Sequence, residues 1–399
     1  MACVVRCLVV CCAAFLFSTS ARGEYITRIW LTHASTDTTT LMVNWETDLP
    51  GPSRVAYGPT EALGGEVRDD APVTLHHVPV PFPDDGTLYY RVSTDRRCSA
   101  IHAVQTYSGD ALRIAAAANW QDHPNLDALL AEGPHLLLSC GDMINGLMSI
   151  GHPGNRTITT DFSDLIDAYP DLFARTPFMP VLGNHDRQIY HRLLQPPPEP
   201  IYDLKATAFL NFFPLPDPGR TWHLDIPGFD VRVIGLDLSH TPDAGTTWQS
   251  CQAFDAGSAQ MSWYRETMAE SRQRFVLTVY NEWHHLVGKA AEGEWMNVAK
   301  QGSAAISGFG LFAERANYDG LPCFNTALKT GNIYANGGRT RFYQKAPSYL
   351  LLTIPRAEGP MRADFKSLDG RLMNRTEWPE RKYQIRASTT GLAARLDSD

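Results

Sequence analysis

Metal-ligating and acid–base side chains gather in two short segments of this sequence. Cys140-Gly141-Asp142 closes the apolar run from His135 to Cys140, and Gly183-Asn184-His185-Asp186 closes another, Phe178 to Leu182. A glycine at a strand end lets the backbone turn sharply and presents the next side chain at the rim of a sheet. Carboxylate and carboxamide oxygens at such a rim are hard ligands for cations. His185 adds a group that can donate a proton or stabilise an anion. Taken singly, each segment is also what an ordinary turn looks like. Their order, about forty residues apart, makes them worth following together.

The elements around them divide the chain in two. Residues 24–108 read as all-β: Tyr25 to Trp30, Thr40 to Trp45, Arg54 to Tyr57, Val73 to Val80, Thr87 to Val92 and Ala103 to Tyr107 roughly alternate apolar and polar residues. Turn-rich pieces such as Asp48 to Ser53 separate them, so six or seven short strands in a small β-sandwich are expected. After a linker near Ser108 to Asp110, strands alternate with helices. Strands are expected at Leu112 to Ala117, His135 to Cys140, Phe178 to Leu182, Val231 to Leu238 and Phe275 to Tyr280. One helix begins after a capping Asn125, one runs from Phe162 to Phe173, and one spans Ala259 to Glu270. This is an α/β domain, placed at 111–374, with a mostly buried sheet. Residues 375–399 read as a tail.

Together the two rim segments resemble the calcineurin-like metallophosphoesterases. The purple acid phosphatase branch is the most similar, because it joins that domain to an N-terminal fibronectin type III-like sandwich. Trp45-Glu46-Thr47 resembles an early strand of that sandwich, and Val181 to Asp186 is a specific match. Val233 to Asp237 and the helix carrying Trp263-Tyr264 follow the later pattern. The resemblance implies an all-β sandwich followed by an α/β metallophosphoesterase domain of two packed mixed sheets flanked by helices. It also implies two metals about 3.5–4 Å apart that activate a water and neutralise phosphoryl oxygens.

Carried over residue by residue, most of the implied ligands are absent. Asn119 stands for the first aspartate and Gln121 for the histidine or glycine after it. Asp142, Asn184 and His185 are intact, whereas Asn145 replaces a tyrosine found in some relatives. Asn281 stands for a histidine. The closing Gly-His-x-His motif reads Gly308-Phe309-Gly310-Leu311, with Gly337 to Thr340 as an alternative register. In either register the histidines are gone, since none follows His285. Phe309 and Leu311 carry no coordinating atom. Two divalent ions 4 Å apart repel by roughly four times the ~4 kcal/mol of a unit pair at an effective dielectric of 20, and Asp142 is the clear remaining carboxylate. No metal cofactor is expected; if one binds, it is a single Zn, Fe or Mn with Glu282, His284 or His285 as replacement ligands. Asp122 and His123 are further candidates. Trp120 and Trp283 flank the substituted positions and could line an aromatic pocket.

Three readings stay open: a non-catalytic binding or structural module, a phosphoesterase with a rearranged mono-metal site, and a pocket for a small sugar or phosphate without turnover. Residues 1–23 resemble a signal peptide, with Arg6 before the apolar run Leu8 to Phe17 and small residues near Ala21. Removing them takes away two arginines and no acid, moving the net charge from −8 to −10, which argues against nucleic acid as a partner. No later stretch is apolar and long enough to cross a membrane, and the partner stays unknown. An exported location is expected. Cys98, Cys140, Cys251 and Cys323 remain after that segment, and their pairing is open. Asn155 and Asn374 head Asn-Arg-Thr triplets that accept glycans in a eukaryotic secretory pathway.

Overall fold

The computed structural model describes residues 26–95, 97–148, 160–189, 200–216, 219–331 and 337–381. The signal segment, Asn155, most of the proline run and the last part of the tail lie outside them. The N-terminal region is all β, in five strands: β1 (Ile26–Thr32), β2 (Thr40–Gly58), β3 (Gly65–Pro81), β4 (Thr87–Ser93) and β5 (His102–Gln105). Two of the expected strands are halves of β2. The turn-rich stretch Asp48 to Ser53 does not break the strand; it is accommodated as register irregularities around Gly51 against β3. β2 therefore pairs β1 through its first half and β4 through its second. Val43, Trp45 and Val55 from the two halves of β2 are fully buried in one core with Trp30 of β1 and Tyr90 of β4.

The remainder is built on two mixed sheets. One contains β6 (Ala111–Ala117), β7 (Leu136–Ser139), β9 (Phe178–Pro180), β18 (Tyr349–Pro355), β19 (Met361–Lys366) and β20 (Leu372–Trp378), in the order β20-β19-β18-β6-β7-β9. The other contains β11 (Trp222–Ile226), β12 (Val231–Gly235), β13 (Phe275–Tyr280), β14 (Ala304–Ser307), β15 (Ala313–Tyr318), β16 (Leu321–Asn325) and β17 (Thr340–Gln344), ordered β11-β12-β13-β14-β16-β15-β17. Two-residue strands β8 (Leu147–Met148) and β10 (Gln188–Ile189) pair separately. The parallel strands β7 and β9, and β12, β13 and β14, are runs of buried residues, and so is β6 from Ile114 onward, as covered sheets require. The strands after residue 300 go beyond the sequence expectation, although Asp319-Gly320 forms the two-residue turn between β15 and β16, and Gly359 and Gly370 mark the turns that follow β18 and β19.

Three helix expectations meet the structure differently. Ala259–Glu270 is helical as anticipated, with Ser258 Oγ accepting from Met261 N at 3.2 Å as its cap. The single helix from Phe162 to Phe173 is two, α2 (Thr160–Ala168) and α3 (Pro170–Phe173), because Pro170 cannot continue the ladder. Asn125 does not cap the next helix, α1 (Asp127–Ala131), since Leu126 holds that position. Its side chain instead closes a turn by accepting from Asp127 N at 2.8 Å. Among the described residues no helix is long and apolar enough to cross a membrane. The N-terminal sheet packs directly on the α/β part, where Trp30 stacks on Phe212 with centroids 4.2 Å apart.

Candidate functional site

The chain ends of β6, β7, β9, β13 and β14 meet at one rim, and glycines make the approach close enough. A Cβ on Gly308, just past β14, would lie 2.0 Å from the Ala118 Cβ and 2.8 Å from the Cys140 carbonyl oxygen. Gly141 lies against Asn281 and Gly183, and Gly183 lies against Asp142, where a Cβ would sit 2.1 Å from Oδ1. Each glycine is thus required by a neighbouring backbone or carboxylate rather than by its own turn alone. Gly337 and Gly338, the alternative register, face open space.

Asp142 sits at the centre of this rim. It adopts a left-handed backbone (φ 56°), as does Asn119 (φ 59°), a conformation that only glycine, asparagine and aspartate visit readily. Asn119 Nδ2 donates to Asp142 Oδ2 at 3.0 Å. Asp142 Oδ1 and Asn119 Oδ1 are both buried without a hydrogen-bond partner, and so is Gln121 Oε1. Burial pushes the Asp142 carboxyl up, against the opposing pull of His185 and then His240.

Asp186 organises the two central loops. It is fully buried, and its carboxylate accepts from Gly183 N at 2.8 Å, Asp142 N at 2.8 Å and Met143 N at 2.7 Å. Its pKa is pushed up to about 7, by burial first and then by the neighbouring Asp142 charge. The three amide donors oppose that rise by favouring its ionised form, and the two adjacent carboxyls titrate as a pair. His185 is partly exposed, and its Nδ1 lies 2.9 Å from the Asn145 carbonyl oxygen; Asn184 beside it is also partly exposed. His240, which no sequence spacing singled out, completes the surround. It has a left-handed backbone and faces Phe309 edge-on with ring centroids 5.9 Å apart.

The remaining positions are engaged in other ways. Asn281 Nδ2 donates to the Cys140 carbonyl at 2.7 Å and the Gly308 carbonyl at 2.9 Å, and Ser239 Oγ donates to its Oδ1 at 3.5 Å. Its carboxamide pins the two sheets together. Phe309 and Leu311 follow on the loop after β14, where Asn325 accepts from Phe309 N and donates to the Phe309 and Phe312 carbonyls, each at 2.8 Å. Leu311 packs against Gly331.

Glu282, His284 and His285 are not gathered around Asp142. The buried Glu282 carboxylate accepts from Thr241 N at 2.6 Å, Thr241 Oγ1 at 2.9 Å and Trp283 N at 2.8 Å, which fixes the loop carrying His240. His284 is fully buried on the helix α6 (His284–Val287), with Nδ1 2.7 Å from the Tyr280 hydroxyl, and burial lowers its pKa to about 4. His285 lies over Trp283 and borders Lys289 and Arg339. Asp122 pairs with Lys329 at 3.8 Å, and His123 packs edge-on against Tyr169. Trp120 is fully buried, donating to Ser139 Oγ at 3.0 Å and packing on Tyr169, Phe173 and Phe178. It is core, not the wall of a pocket. Cys98 is an exposed thiol; Cys140, Cys251 and Cys323 are buried thiols.

A dinuclear metal centre does not fit this donor set. Phe309 and Leu311 on the loop after β14 offer only hydrocarbon, the Asn281 amide hydrogens are spent on carbonyls, and an N–H already caps one oxygen of Asp142. Among the described residues no group of three or more His, Cys, Asp or Glu gathers as a metal cluster. The rim carries a buried carboxyl instead, and that has a pH signature. A carboxyl whose folded pKa is raised contributes stability below its unfolded pKa and loses it as pH rises through the folded value. Asp142→Asn keeps the acceptor for Asn119 and suits the left-handed backbone. It is expected to be more stable than the parent by about 1–3 kcal/mol at pH 8–9, with the gap closing toward pH 5 in urea titrations. Parallel curves for the two proteins would refute the assignment.

Comparison with known proteins agrees with this architecture. Residues 98–277 match the family model of the calcineurin-like phosphoesterases. The purple acid phosphatase PPD1 from yellow lupin (Lupinus luteus) seeds superposes with a TM-score of 0.68 at 12% identity, covering 89% of this chain and 74% of that one. The structure of PhoD superposes with a TM-score of 0.63 at 12% identity, covering 88% and 89%. No curated protein matches the sequence. The chain thus has, at residues 98–277, a region that matches the calcineurin-like phosphoesterase family, on a fold similar to that of a purple acid phosphatase.

Proposed function

We propose that this protein is an exported, non-catalytic relative of the phosphoesterases, keeping their scaffold as a binding or structural module. One observation carries this reading. At the positions where the family places histidines, Asn281 gives its amide hydrogens to Cys140 and Gly308, and Phe309 and Leu311 are hydrocarbon. A site with so few free donors cannot neutralise two adjacent divalent ions. We place the boundary between the β domain and the phosphoesterase domain at residues 108–111, and export rests on the signal-like residues 1–23.

A second reading is favoured by the two orphaned oxygens. Asn119 Oδ1 and Asp142 Oδ1 are buried and unpartnered at one place, which suits a single cation with Asn184 beside it. Elemental analysis of the purified protein and an aryl phosphate assay with added zinc, iron and manganese separate the two readings. We expect metal far below one equivalent, no turnover above buffer, and a melting temperature unmoved by chelator. Stoichiometric metal with turnover that vanishes in Asp142→Ala would establish the mono-metal phosphoesterase instead.

A further inference from the structure

Away from the rim, the segment after α6 and the end of β15 border an open cavity of about 280 Å³, whose lining includes His285, Lys289, Lys300, Tyr318, Arg339 and the carboxylates of Glu292 and Asp319. Its charges are not balanced. Lys300 is neutralised by Asp319 at 2.7 Å. Lys289 and Arg339 have no carboxylate within ion-pair distance among the described residues, although Glu292 also lines the cavity. The Arg339 guanidinium lies over the Tyr318 ring, 4.9 Å from its centroid, which orients its donor fork without cancelling its charge. The His285 pKa is lowered by burial, then by the Lys289 and Arg339 charges, so all three groups crowd one space. This happens on a chain of net charge −8, where a cluster of unpaired cations is against the general balance.

The wall of the cavity is also strained. Ala291, Glu292 and Gly293 are consecutive left-handed residues, with φ of 47°, 57° and 87°. Conformations of that kind cost energy and persist at ligand clamps. Two cations without an ion-pair partner, one of them a planar fork, in a cavity whose three cations outnumber its two carboxylates Glu292 and Asp319, match a tetrahedral dianion better than a monoanionic carboxylate.

We propose that this cavity binds a tetrahedral oxyanion, phosphate or sulfate, held between Lys289 and Arg339. The test is calorimetric titration of the full chain at constant ionic strength with sodium phosphate, sodium sulfate, sodium acetate and glucose 6-phosphate. Phosphate and sulfate should bind saturably and acetate about tenfold more weakly. Lys289→Gln and Arg339→Gln should each weaken phosphate by about tenfold, the scale of one charge-assisted hydrogen bond. Lys345→Gln, which removes the same charge elsewhere, should leave it unchanged. Tighter binding of glucose 6-phosphate than of phosphate would assign an organic carrier, and equal binding the free ion. Absence of saturable phosphate binding, or equal affinity in the Lys289 and Arg339 variants, would overturn the proposal.

Discussion

Asp186→Ala is expected to remove about 3–5 kcal/mol of unfolding free energy. The carboxylate accepts three backbone N–H groups, from Gly183, Asp142 and Met143, and is itself fully buried. Alanine offers none of them an acceptor. An unsatisfied buried donor costs about 1–3 kcal/mol, less where water reaches it, and two of the three belong to a loop whose central residue already holds a left-handed backbone. Asp186→Asn keeps one acceptor oxygen and should cost roughly half as much. Removing the charge also relieves the repulsion on Asp142, so the alkaline loss of stability should be smaller in both variants. Guanidinium unfolding at pH 6 and pH 9 measures both effects. A midpoint for Asp186→Ala within about 1 kcal/mol of the parent would mean that these loops are held by something other than this carboxylate.

Breaking the Arg187–Asp237 pair should be comparably damaging. Both side chains are fully buried and hydrogen-bonded to each other, and among the described residues Arg187 otherwise donates to the Leu204 carbonyl at 3.5 Å. Asp237→Ala leaves a guanidinium in the interior without its counter-charge, which costs about 3–5 kcal/mol. Replacing both partners, Arg187→Met with Asp237→Leu, removes two buried charges together and should recover most of that loss. A double-mutant cycle is the measurement, and strict additivity of the single costs would contradict the account. The pair joins the residue after Asp186 to the strand end that leads to His240. It therefore ties together the two segments that carry His185 and His240, the histidines whose charges act on Asp142.

Much of the rim was legible in the sequence because its chemistry is local. Glycine followed by aspartate or asparagine at a strand end announces a presented side chain, and Phe309 or Leu311 cannot coordinate a metal in any fold. The groups that support the rim are not local in the same way. Asp186 looked like part of a motif, but its role lies in amides from a loop 43 and 44 positions away. His240 sits in a loop with no recurring spacing. Glu282 and His284 looked like spare ligands because sequence shows polarity but not partners; Thr241 and Tyr280 occupy them. The continuity of β2 through Asp48 to Ser53 was hidden for a related reason, since a bulge and a turn use the same residues.

The sequence by itself determined which coordinating atoms exist: a side chain's elements do not change on folding, so the missing imidazoles are missing in every conformation. The tertiary structure alone decided where the remaining lone pairs and hydrogens go. Asn281 meets Cys140 across 141 residues of chain. Such a bond is specified by how two sheets pack, and no local pattern encodes it.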